Sequence, residues 1–118
     1  LLRSQSERFV QTLAEKSALQ PLYKNKDIIL QLKSEKESVL MSFHNGVCSL
    51  ISEPSGNIDV NITGKYDSLV LLIDGSERLM MLEQEGNLEV EGKQCNLLTL
   101  ESLFILAGES SYLFRHMT

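Results

Sequence analysis

Apolar positions recur with helical spacing at both ends of the chain and alternate with polar ones through its middle. Ser4 and Glu7 are spaced as a capping box, in which the hydroxyl accepts from the third amide and the carboxylate reaches back. Phe9, Val10, Leu13 and Ala14 then fall on one helix face. The stripe fades near Leu19, Pro21 predicts a stop, and Leu22 and Tyr23 suit one further short turn. Ile28, Leu30 and Leu32 alternate next, and Lys33–Glu37 reads as a charged connection. Val39, Met41 and Phe43 alternate up to Asn45-Gly46, the strongest short hairpin signal, because both residues tolerate positive φ. Val47–Ser52 is the expected return strand, Pro54-Ser55-Gly56-Asn57 a turn, and Ile58, Val60 and Ile62 a fourth strand. Four strands joined by short connections predict an antiparallel meander.

After Thr63 the period changes. Tyr66, Leu69, Val70 and Ile73 fit i, i+3, i+4, i+7, with Thr63 as N-cap and Gly75 just past the end. The five-residue run Leu69–Ile73 also fits a strand by period, and the capping residues favour the helix. Leu79, Met80, Met81 and Leu82 suit another short helix that Gly86 ends, and Leu88 and Val90 alternate with Glu89 and Glu91 in a last strand closed by Gly92. A final helix is predicted from near Thr99, with Leu100, Leu103, Phe104 and Ala107 in one stripe and Ile105 and Leu106 on other faces. A helix apolar on several sides needs cover on several sides. A second helix over it, a ligand cavity or a subunit interface would each supply that cover. Tyr112-Leu113-Phe114 adds apolar surface with the same need.

The 118 residues, 42% of them apolar and 23% charged, describe one globular domain spanning 1–118. A chain of this length buries roughly 65% of its unfolded surface and folds without a disulfide or a metal. Sixteen acidic against eleven basic residues give a net charge of −5 with no Lys/Arg cluster. That excludes nucleic acid as a partner and electrostatic docking on anionic membranes. No apolar run approaches the ~20 residues of a spanning helix. Cys48 and Cys95 lack CxxC or metal spacing and are expected as reduced, packed thiols of a cytoplasmic protein, with a disulfide between them as the alternative. No signal-peptide pattern is present, and a start on Leu1 rather than Met places the native start upstream. His116-Met117-Thr118 is not a peroxisomal address.

Candidate chemistry is sparse. His44 and His116 are the two histidines, too few at these spacings for a zinc site. No GxSxG elbow, Cys–His pairing or glycine-rich phosphate loop is present. Glu83, Glu85, Glu89 and Glu91 read as a solvated face rather than acid–base pairs. No catalytic residue, metal ligand or cofactor is therefore assigned. Met41, Met80 and Met81 are unbranched and polarizable; on the residues alone plain core packing is the expectation, with lining a pocket for an apolar ligand as the alternative.

From Ile58 to Phe104 the chain resembles the second half of the sterol-carrier-protein-2 domain. The likeness rests on the alternating strand Ile58–Ile62, an apolar helix ending in Asp74-Gly75, a Met-containing segment, the glycine-flanked strand Gly86–Gly92, and an apolar helix with Leu100, Leu103 and Phe104. The family's glycine-flanked strand often carries lysines, where this chain has Asn87, Glu89 and Glu91. The resemblance implies an α+β fold, a five-stranded, mainly antiparallel sheet with helices packed on it. It also implies non-catalytic binding of a fatty acid, fatty acyl or sterol-like lipid in a cavity between sheet and helices. The ligand-lining residues it implies are Met80, Met81, Leu100, Leu103, Phe104, Met41, Phe43 and Leu69. The competing expectation is a structural module with a self-filled core, joined as a homodimer through residues 100–114.

Overall fold

In the computed structural model, which describes residues 1–54 and 56–117 with side chains through Gly108, helix α1 (Leu2–Glu15) leads into a 3-10 helix (Ser17–Leu22). Strands β1 (Ile28–Lys33), β2 (Ser38–His44), β3 (Val47–Ile51) and β4 (Val60–Gly64) follow. Helices α2 (Tyr66–Ile73) and α3 (Leu79–Gln84), strand β5 (Leu88–Gly92) and helix α4 (Gln94–Met117) complete the order.

The sheet runs β3-β2-β1-β4-β5. Alternation and the hairpin signal place β1, β2 and β3 as read from the sequence. Asn45 and Gly46 both take positive φ, 53° and 75°, as the tight turn requires. The meander ends there. Strand β4 pairs with β1, and in parallel, with Leu30 opposite Val60 and Leu32 opposite Ile62. The chain after β3 crosses two strands, about 14 Å at usual strand spacing, to reach the other side of β1. Asp59 anchors its arrival: its amide donates to the Ile29 carbonyl, and its carboxylate accepts from the Ile29 amide at 2.8 Å. A polar residue at the foot of β4 thus selects an edge that hydrophobic period alone leaves open. All other pairings are antiparallel.

One face of this sheet carries Leu30, Leu32, Met41, Phe43 and Ile62, all fully buried under the helices. Helix α1 packs against α2, α4, β2 and β3, and Phe9 meets Phe104 with ring centroids 5.0 Å apart. Each such side chain contributes roughly 1.5–3 kcal/mol on burial. The opposite face holds half-buried Gln31, Leu40, Ser42 and Asn61 and exposed Lys33, Thr63 and Glu89.

Four local expectations change. Helix α1 has no side-chain cap from Ser4, whose hydroxyl donates back to the Leu1 carbonyl. Glu37, from the β1–β2 connection, takes that role and accepts from the amides of Leu2 (3.0 Å) and Arg3 (3.2 Å). Thr63 lies inside β4, and α2 starts after Lys65 without a side-chain cap. Helix α4 starts at Gln94 rather than near Thr99, and the Thr99 hydroxyl donates to the Cys95 carbonyl one turn back. Cys48 and Cys95 are both free, with Cys48 buried and Cys95 exposed rather than packed.

Candidate functional site: the apolar layer beneath α4

The layer between sheet and helices gathers most of the residues singled out in the sequence. Met41 and Phe43 rise into it from β2, Leu69 from α2, and Leu100, Leu103 and Phe104 descend from α4. All six are at most 1% exposed and belong to one contiguous cluster. Met80 and Met81 lie elsewhere. They stand on the outer side of α3, 46% and 49% exposed, while Leu79 and Leu82 of the same helix face inward. Tyr112, Leu113, Phe114 and His116 have side chains outside the described residues.

The helical roof is fixed at both ends. At one end, Leu2, Glu37 and Tyr66 join α1, the β1–β2 connection and α2. The Leu2 amide donates to the Tyr66 hydroxyl oxygen at 3.0 Å as well as to Glu37. Burial opposes ionisation of Glu37, but hydrogen bonds from the Tyr66 hydroxyl and from the Leu2 and Arg3 amides outweigh it, so the carboxyl lies below its ordinary value. At the other end, Gly75 and Gly108 bring α2 and α4 into backbone contact. A Cβ on Gly75 would stand 2.5 Å from the Phe104 carbonyl oxygen, and one on Gly108 would stand 2.5 Å from that of Asp74. Gly75 also takes φ +78°, so glycine answers both a conformation and a close approach.

A depression of about 210 Å³ lies between the end of α1, the 3-10 helix and the β2–β3 hairpin. Leu13, Tyr23 and Cys48 form its buried floor, and the Gln20 amide group donates to the Gly46 carbonyl across it at 3.2 Å. Burial pushes the Cys48 thiol up to about 12. Burial, with Cys48 adding to it, also raises the Tyr23 hydroxyl, which donates to the Leu13 carbonyl. Both groups stay neutral at physiological pH, and a neutral floor suits apolar matter better than ions. The sequence placed Leu13 on the inner face of α1, Tyr23 in a short turn and Cys48 as a packed thiol, but no periodicity joins residues from three separate elements into one floor.

A second depression, about 460 Å³, lies on the opposite sheet face, where His44 Nδ1 meets Asp27 at 2.8 Å beside Ser42 and Asp59. Among the described residues no group of three or more His, Cys, Asp or Glu side chains could hold a metal ion. No described helix is long and apolar enough to cross a membrane.

The model of the SCP-2 sterol transfer family matches residues 5–104. The chain belongs to that family. Its members' fold is the one described above, and the family assignment carries lipid or sterol binding or transfer as its general function. No curated protein matches by sequence. Among solved structures, a ubiquinone synthesis protein, UbiJ-SCP2, is 19% identical with a TM-score of 0.69, and the match covers 86% of each chain. The sterol carrier protein domain 2 of Helicoverpa armigera is 14% identical with a TM-score of 0.71, over 88% of this chain and 85% of that one. A sec-alkylsulfatase from Pseudomonas sp. is 16% identical with a TM-score of 0.57, over 72% of this chain but 13% of that one. In that protein the fold is a small part of a much longer chain. At these identities the likenesses show the fold, a mostly antiparallel five-stranded sheet with helices.

Proposed function

We propose that this SCP-2 family domain is a non-catalytic cytoplasmic carrier that holds a fatty-acyl or sterol-like lipid in the apolar layer beneath α4. The observation that supports this most is the convergence of Met41, Phe43, Leu69, Leu100, Leu103 and Phe104 from three elements onto that layer, in a chain whose family is named for sterol transfer. Sequestration from water supplies the affinity. Burial contributes about 0.8 kcal/mol per methylene, so ten methylenes give about 8 kcal/mol before ordering costs. The layer yields to a ligand by rearranging its side chains, Met41 most easily because its thioether chain has three rotatable bonds. The neutral depression over Leu13, Tyr23 and Cys48 is the proposed way in.

The experiment is uptake of a fluorescent fatty acid, paired with native mass spectrometry before and after denaturing extraction. Saturable uptake at micromolar concentration, or co-purified lipid, is expected. A clean apo mass together with no uptake overturns the proposal and leaves the self-filled module.

A further inference from the structure

Outside the lipid layer, α3, α4 and β5 enclose a shallow groove of about 50 Å³. Its apolar walls are Leu79, Met80, Val90, Leu97 and Leu98. Leu98 is 48% exposed and Met80 46%, so two large apolar side chains from neighbouring helices face water together. Met81 adds a third just beyond.

Charge around this groove is one-sided. Residues 74–101 contain seven carboxylates and two cations, Arg78 and Lys93, a net −5 that equals the charge of the whole chain. The other residues balance. Glu83 and Glu101 stand in the groove wall, which holds no cation among the described residues, whereas Glu89 and Glu91 on either side of Val90 point to the opposite sheet face. One Glu101 oxygen accepts from the Met80 amide at 3.0 Å, which fixes that carboxylate at the rim.

We infer that this groove docks a basic amphipathic helix of a partner protein. An anionic lipid surface is disfavoured, because seating Met80 and Leu98 in it would press the carboxylates into like-charged headgroups. A second copy is disfavoured because a two-fold contact sets each glutamate patch against itself. A helix with an apolar stripe and Lys/Arg flanks meets both features at once, its i, i+3/i+4 and i+7 side chains in the groove and its cations against Glu83 and Glu101. Methionine walls adapt to varied anchors. From Gln94 to Glu101 helix α4 rises roughly two turns, so two to three turns of partner helix suffice. This surface does not depend on a lipid being bound.

The test uses a dye-labelled 14-residue Leu/Lys amphipathic peptide, read by anisotropy, with amide shift mapping on the isotope-labelled protein. Saturable binding that weakens with salt, with shifts centred on Met80, Glu83 and Leu98, is expected. The double variant Met80→Ser/Leu98→Ser, both sites being exposed, should keep its circular dichroism and bind at least tenfold more weakly. Glu83→Lys should weaken binding several-fold and flatten the salt dependence, while Leu22→Ser, exposed on the 3-10 helix, should leave peptide binding unchanged. Unchanged affinity in the double variant, or equal binding of the same peptide scrambled to break its stripe, overturns the inference. So does a dimer, or flotation with phosphatidylglycerol vesicles, that the double variant abolishes.

Discussion

Helix α4 presents leucines five residues apart to opposite fates. Leu103 is fully buried against the sheet layer, and Leu98 is 48% exposed beside α3. The same division splits the methionines, with Met41 sealed in β2 and Met80 and Met81 outside. Apolar character alone does not say whether a side chain stabilises the fold or remains available to something else. What decides is which elements cover it, and α1 and the 3-10 helix pack on α4 while α3 leaves Leu98 and Met80 open.

The comparison breaks most visibly under a charge. Leu103→Asp places a carboxyl in the apolar layer without a partner and should cost about 4–5 kcal/mol, much of a small domain's stability. Leu98→Asp should stay within about 0.5 kcal/mol. Urea unfolding of the two variants checks the pair, and equal losses would show that α4 is covered alike on both sides.

A finer separation comes from two glycines with nearly equal backbone angles. Gly75 (φ +78°) lies against α4, whereas a Cβ at Gly86 (φ +79°) meets nothing within 4 Å. Alanine at Gly86 should cost about 1 kcal/mol for the left-handed conformation alone. Alanine at Gly75 should cost about 2–3 kcal/mol, since the backbones must also separate. Their difference measures the α2–α4 contact by itself.

Smaller still is the effect at Glu37. Its native value is lowered from 4.5, so its contribution is present above that ordinary value and disappears as pH falls through the lower native one. Glu37→Gln weakens the cap on Leu2 and Arg3 and should lose at most about 1 kcal/mol at neutral pH, solvent screening included, and the gap from wild type should close in acid. Stability curves at several pH values would read this, and a gap that widens in acid contradicts the assignment. Stability is not altered in the last prediction. Iodoacetamide should label exposed Cys95 rapidly and Cys48, with its thiol near 12, only as the fold opens.

Much of the fold was legible because its signals are local. Alternation located the strands, Asn45-Gly46 the hairpin, and the glycines at 86 and 92 the limits of β5. What escaped depends on residues far apart in sequence. The Glu37 cap reaches across 34 or more positions to α1, and the β1–β4 pairing rests on Asp59 finding Ile29. For the candidate site, the buried stripe of α4 and its partners on β2 and α2 could be named from period. The outward turn of Met80 and Met81 could not, because a six-residue helix between Arg78 and Glu85 offers too few turns to define a face.

The glycine pair joining α2 to α4 carries one more consequence. Side chains between two helices can shed volume by changing rotamer, and two backbones in contact have nothing to shed. The separation at Gly75 and Gly108 is already at its floor and can only grow. The joint therefore acts as a stop in one direction: it bars α4 from settling inward at that point, and outward rotation about it is resisted only by side-chain packing such as Phe104 on Phe9.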